Sequence, residues 1–223
     1  MPVRLVLFDI AGTTVEDPDG VGGCLKAALD AAEVAWTADE VNAIMGIPKP
    51  VAIEVLMKSA GFDPDSATIE AIHRDFQARM IEYYRTSPVV REVPGAAATF
   101  RILRESGVKV GLDTGFDRSI VEVLLSRLGW GEDVIDVSVT SDEVERGRPY
   151  PDLVFEAMRR AGVGDAAEVV KVGDTPSDLQ EGTAAGCGMV VGVTQGTHTA
   201  EQLRGHPHTH LVESVRDVPG LLV

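Results

Sequence analysis

The sequence predicts an α/β protein, a doubly wound parallel sheet interrupted by one all-helical insertion. Three observations carry that expectation. Short runs of Val, Ile and Leu alternate with helical patterns over most of the chain, and those runs show no polar alternation. An interval of about 70 residues near the N-terminus has no convincing strand pattern at all. Strands that are apolar on both faces are buried on both faces, which is the situation of a parallel sheet covered by helices on each side.

The elements follow in order. Arg4–Phe8 reads as a strand ending on Asp9, after which the chain turns through Gly12, Thr13 and Thr14. From about Pro18 to Ser87 only helical signals occur. Thr37 and Glu40 have the spacing of a capping box, and a helix over Val51–Ala60 closes at Gly61. Ile69, Ile72, Phe76, Met80 and Tyr83 recur at intervals of three and four, an apolar helix stripe. "EVPGAAATF" marks the return to the sheet. A helix over Gly95–Ser106 stops at Gly107 and leads to a strand at Val108–Asp113. Helix Arg118–Leu128, strand Ile135–Thr140 and helix Pro151–Ala161 follow, and then strands at Val169–Val172, Met189–Val193 and Thr209–Val212. The expected division is a Rossmann-like core at 1–17 and 88–223 with a helical cap at 18–87.

Composition excludes several classes. With 44% hydrophobic and 25% charged residues in 223, the chain has globular make-up and enough length for one domain carrying an insertion. Its formal net charge of −15 would repel nucleic-acid phosphates. No apolar run approaches the roughly 20 residues that span a bilayer. The N-terminus shows no charged region followed by a cleavable apolar stretch, so no secretory signal is expected. Two cysteines, Cys24 and Cys187, make no disulfide framework. A cytoplasmic protein is expected, with no nucleic-acid or membrane partner and with Cys24 as a small buried hydrophobe in the cap.

In open α/β sheets ligands sit beyond the carboxyl ends of the strands. Asp9, Asp113-Thr114 and Asp174 all fall at such ends. Two aspartates at neighbouring ends repel unless something neutralises them. Mg²⁺, a hard cation with oxygen ligands, would do so and leave room for a phosphoryl oxygen. Asp9 could then attack phosphorus and form an aspartyl-phosphate that water later cleaves. The alternative for a lone Asp9 is a turn cap. Gly12 permits a tight turn, and the backbone N–H groups of Gly12 and Thr13 are expected to face an anion. The Thr114 hydroxyl and the N–H of Gly115 are expected to bind a phosphoryl oxygen. Arg148, between Gly147 and Pro149, is expected to clamp phosphate oxygens and the nucleophile. Pro176 suits a first helical position and Asp178 the first turn, where it complements the helix dipole and can support a metal site. His206, His208 and His210 in "HPHTH" read as a surface strand entry.

"DIAGTT", "DTGF", "GRPYPD" and "GDTPSD", in this order, resemble the four motifs of the haloacid dehalogenase superfamily. The helical insertion resembles that superfamily's first-position cap. The resemblance implies Asp9 as nucleophile, with Mg²⁺ held by Asp9, the Ala11 carbonyl and Asp174. Most phosphatases of the superfamily carry an aspartate acid where this chain has Ala11. Alanine there, with arginine in "GRPYP", is similar to the phosphonatase branch, which hydrolyses phosphonoacetaldehyde. That branch carries a Schiff-base lysine after a Met-Gly pair, and Lys49 follows Met45-Gly46 here. Pro50 looks like the first residue of a helix, so Lys49 would sit at its positive end, where the ammonium is disfavoured. The alternative is a solvated loop lysine. Two departures stand out, because the branch's histidine and tyrosine are matched by Ala52 and Phe116. The resemblance thus implies a small phosphonate substrate, with a small phosphate ester as the alternative, and a homodimer formed through the cap.

Overall fold

The computed structural model describes residues 2–222. Six strands, β1 (Leu5–Phe8), β4 (Lys109–Thr114), β5 (Val137–Thr140), β6 (Val169–Gly173), β7 (Met189–Val193) and β8 (His210–Val212), form one sheet in the order β5-β4-β1-β6-β7-β8. Every pairing in it is parallel. The remaining two strands, β2 (Val15–Glu16) and β3 (Arg91–Glu92), form a small antiparallel ribbon. The helices are α1 (Gly20–Ala31), α2 (Ala38–Ala43), α3 (Lys49–Ser59), α4 (Ser66–Thr86), α5 (Ala96–Glu105), α6 (Arg118–Leu128), α7 (Asp152–Ala161), α8 (Pro176–Ala185) and α9 (Ala200–Arg204).

The central strand shows why the runs lack alternation. Leu5 and Leu7 of β1 pack in one cluster with Leu153, Val154 and Ala157 of α7. Val6 and Phe8 point the other way, into a cluster with Phe100 and Leu103 of α5. The second cluster also holds Ile53, Leu56, Phe76 and Met80, so the apolar interior of the helical insertion is continuous with that of the sheet. No helix among the described residues is long and apolar enough to cross a membrane.

Four details depart from the expected elements. Strand β5 starts at Val137 and not at Ile135, because the Val134 and Ile135 amides donate back to Gly131 O in a turn. Helix α4 buries Ile72, Phe76, Met80 and Tyr84, a strict spacing of four, and Tyr84 takes the place expected of Tyr83. Helix α3 begins at Lys49, with Pro50 second. The β2–β3 ribbon, extended by the Val93 amide donating to Thr14 O at 2.8 Å, has no counterpart among the expected elements. It lies where the chain leaves the sheet for α1 and returns from α4. Two residues per strand are too few to leave a periodic signal.

Candidate active site

Parallel register sets the first geometry. Phe8 pairs with Leu112 on one side and Val172 on the other, so Asp9, Asp113 and Asp174 emerge near one another at the strand ends. The Asp9 amide donates to Val172 O at 2.9 Å. The turn that follows has Gly12 at φ 87, and a Cβ there would come within 2.5 Å of the Asp174 carboxylate. A side chain at Gly12 would therefore displace Asp174. The Thr13 hydroxyl donates to Asp174 Oδ1 at 2.8 Å and the Thr197 amide to Oδ2 at 2.7 Å. The Gly12 and Thr13 amides donate to Val15 O and Ile10 O inside the turn. They do not face an anion as expected, because the turn itself uses them.

Arg148 is buried, and every one of its nitrogens meets protein oxygen. Nε donates to Glu181 Oε2 at 2.9 Å and Nη1 to Asp9 Oδ1 at 2.7 Å. Nη2 donates to Asp113 O at 3.0 Å and to Asp113 Oδ1. Nη1 also pairs with Asp178 Oδ1 at 3.0 Å. The guanidinium therefore reaches Asp9 as expected, but its donors are committed to protein oxygens and not aimed at a phosphoryl group. The Lys171 ammonium lies behind it, fully buried, beside Asp113, Asp178 and Glu181. Burial and the like charge of Arg148 oppose the charged form of Lys171, yet the three carboxylates outweigh them and hold it above the usual lysine range. Burial alone would raise Asp178, but Arg148 and Lys171 hold it below the usual carboxylate range.

A tight pocket of about 30 Å³ gathers Asp9, Ala11, Met45, Gly46, Lys49, Thr114, Gly115, Phe116 and Arg148. The structure thus brings Lys49 of the helical insertion into the same pocket as Asp9. Lys49 is 3% exposed and donates to Ile47 O at 3.3 Å. Its ammonium lies 6.0 Å from the Phe76 ring centre and 5.9 Å from that of Phe116. Among the described residues no carboxylate forms an ion pair with it, and burial pulls its pKa down to about 8. The Thr114 hydroxyl accepts from the Phe116 amide at 3.2 Å, which leaves its own proton for an incoming oxygen. Next to this pocket lies a cavity of about 440 Å³ that shares Ala11, Val21, Met45 and Thr197 with it and is walled by Glu16, Asp17 and Asp19.

Asp9, Asp174 and Asp178 each offer an oxygen within 4.8 Å of the others, all buried, an arrangement that fits a divalent cation. Without one, burial drives Asp174 up to about 6 and Asp9 well above the usual carboxylate range, against the pull of Arg148. Both Asp174 oxygens already accept a hydrogen bond, so the residue is aimed before any ion arrives. Outside this centre, Cys24 is half-buried against the apolar cluster. His206 and His208 precede β8 and His210 opens it, at the sheet edge away from Asp9, and His208 Nδ1 contacts His206 O at 2.7 Å.

Sequence reasoning missed Lys171, Glu181 and the role of the Asp113 side chain. A signal existed, since a lysine in the middle of "VVKV" breaks an otherwise apolar strand and needs buried partners.

Against known proteins, the sequence model of the haloacid dehalogenase-like hydrolases matches residues 3–186. The phosphonoacetaldehyde hydrolase of Bordetella avium is 30% identical, over 100% of this chain and 91% of its own. A hydrolase of Pseudomonas syringae superposes with a TM-score of 0.88 at 20% identity, covering 98% of this chain and 97% of its own. A phosphonoacetaldehyde hydrolase-like protein of Oleispira antarctica gives 0.85 at 20% identity, covering 100% and 92%. At such identities the two structures speak to the fold alone.

Proposed function

The chain belongs to the haloacid dehalogenase-like hydrolases, and from that premise we propose that it cleaves the carbon–phosphorus bond of a small phosphonate aldehyde such as phosphonoacetaldehyde. The observation that carries the reading is Lys49, a buried lysine with no carboxylate ion pair among the described residues, in the pocket of Asp9 and with its pKa lowered to about 8. Only a neutral amine adds to a carbonyl, and burial makes that form accessible near neutral pH. Addition and loss of water give a protonated imine at Nζ. The Asp9 carboxylate then attacks phosphorus, the carbon–phosphorus bond breaks, and its electron pair moves into the imine to leave an enamine. Water hydrolyses the aspartyl-phosphate and, after protonation, the imine, and so frees Lys49.

Within this reading Thr114 donates to the phosphoryl group, Arg148 orients Asp9, and Thr13 with the Thr197 amide fixes Asp174. Asp9, the Ala11 carbonyl and Asp174, with Asp178 nearby, would hold Mg²⁺, which would supply charge neutralisation for attack on an anion. Ala11 suits a reaction with no ester oxygen to protonate. The acids of the adjoining cavity, Glu16, Asp17 and Asp19, disfavour a substrate whose organic part is a carboxylate. Exposed Val51 and Val55 on α3, with Phe62 just beyond it, support a dimer through the cap, to be read by sedimentation.

Borohydride added during turnover of phosphonoacetaldehyde tests the reading. It should inactivate the enzyme and leave a secondary amine on the peptide "GIPKPVAIEVLMK". Absence of an adduct, together with phosphate release from esters by Lys49→Arg, would make the protein a phosphomonoesterase.

A further inference from the structure

Three carboxylate oxygens in the core each touch two cations. Asp113 Oδ1 meets both Arg148 Nη2 and Lys171 Nζ. Asp178 Oδ1 lies 3.0 Å from Arg148 Nη1 and 3.1 Å from Lys171 Nζ. Glu181 Oε2 lies 2.9 Å from Arg148 Nε and 3.1 Å from Lys171 Nζ. Lys171 Nζ donates to Asp113 Oδ1 and forms ion pairs with the other two, so that both cations face the same three oxygens. All five side chains are fully buried, apart from a 3% exposure of Arg148 as a whole residue. The remaining Nη1–H of Arg148 points to Asp9 Oδ1.

We propose that Lys171 is a positioning residue: through the three shared oxygens its ammonium fixes the Arg148 guanidinium so that Nη1 is aimed at Asp9. Two physical points support this. Three carboxylates facing one guanidinium would leave two negative charges uncompensated in a dry interior, and the arginine would be pulled toward them and away from Asp9. A second cation of fixed position halves that excess and weakens the pull. Lys171 is also in the one place where this works. It stands in mid-strand on β6, bonded into the ladder beside β1 and β7, so its backbone cannot shift. Gly182 of α8 leaves space for its stem, since a Cβ at Gly182 would come within 2.8 Å of Lys171 Cβ. The three acids with their oxygens clustered within 4.8 Å would otherwise resemble a metal cage, and the ammonium occupies it from within the chain.

The proposal rests on Asp9 being the nucleophile, and its test separates the two ideas. Lys171→Met keeps most of the unbranched stem and removes the charge. Lys171→Met with Glu181→Gln restores charge balance and is read against Glu181→Gln alone. Folding is followed by thermal melting, phosphate release gives kcat and KM, and the Arg148 Nε–H resonance, assigned with Arg148→Lys, reports the guanidinium directly. Expected is a loss of tenfold or more in kcat, up to about 100-fold for a misplacement of about 1 Å, with KM changed less than threefold. The Arg148 signal should broaden or shift in a variant that still melts cooperatively. A loss under tenfold in the balanced pair, with the Arg148 signal unmoved, overturns the proposal and leaves Lys171 a counter-charge. Failure of the balanced variant to fold overturns it as well, because Lys171 is then a folding residue. If the wild type releases no phosphate from any substrate, the nucleophile reading fails, and the Arg148 resonance still decides the role of Lys171.

Discussion

Asp9 is 5% exposed and has one directed partner, the Arg148 Nη1–H at 2.7 Å. Asn at this position can still accept that hydrogen bond, so Asp9→Asn is expected to fold while losing the carboxylate proposed to attack phosphorus. Turnover should fall by about three orders of magnitude or more. A variant that keeps over a tenth of wild-type phosphate release, a barrier change below ~1.4 kcal/mol, would remove Asp9 from the chemistry. Lys49 offers a test of different kind. Burial lowers its pKa from the usual lysine range to about 8, so its neutral fraction rises steeply as pH climbs to 8 and levels above. The initial rate of borohydride trapping should follow that curve. A rate still climbing tenfold per pH unit at pH 9.5 would mean an ordinary solvated lysine.

At the scale of elements, the long strands and helices were legible because their cause is local. Burial on both faces writes "LVLF" and "VVGV", and the Thr37–Glu40 capping box forms as spaced, with the Glu40 amide donating to Thr37 Oγ1 at 3.2 Å. What was not legible is how the cap meets the sheet, since that depends on close approach between distant segments. Gly115, at the end of β4, touches the loop before α3, and a Cβ there would lie 2.9 Å from Ile47 O and 3.0 Å from Gly46 O. Gly46 itself sits at φ 84 against Thr175 and Ser177, and Gly147 faces Pro48. His73 Nε2 of α4 lies 2.8 Å from Asp117 Oδ2 and adds a polar contact between cap and core. Three glycines thus let the Lys49 loop lie on the strand ends. A backbone carbonyl cannot swing aside as a side-chain tip can. Gly115→Ala should therefore hold the Lys49 loop off the core by a few tenths of an ångström or more. The expected result is a tenfold or greater loss in kcat/KM, with a melting temperature within a few degrees of wild type. Equal kcat/KM would show that the cap does not need this contact.

Over the whole molecule, sequence motifs located Asp9, Thr114, Arg148 and Asp174 because each follows an apolar strand or a turn signature. The charge network behind them was hidden, since the sharing of oxygens between Arg148 and Lys171 arises only when β4, β6 and α8 come together. The ledger of that network has a consequence for stability. Asp9, Asp113, Asp174, Asp178 and Glu181 are buried with two cations among them, in a chain of net charge −15. Burial raises the pKa of Asp9, takes Asp174 to about 6, and lifts Glu181. In an unfolded chain these groups titrate near 4. Between about pH 4 and 8 these three groups bind more protons in the native, metal-free protein than in the unfolded one, and through them stability falls as pH rises, opposed in part by His198, which burial holds below the usual histidine range. Asp178, held low, acts only in the acid range below that window. Lys49 acts above it. A divalent cation at Asp9, Asp174 and Asp178 would replace those protons with charge of its own, so the slope should flatten. Thermal unfolding in EDTA is expected to lose at least ~1 kcal/mol between pH 5.5 and 8, about 2–4 °C for a chain of this size. Millimolar Mg²⁺ should restore the loss at pH 8 and do little at pH 5.5, where protons already hold the site. Asp174→Asn should abolish the Mg²⁺ response and lessen the slope. Equal melting at the two pH values in EDTA would mean that the acids are neutralised within the fold, with no need for a metal.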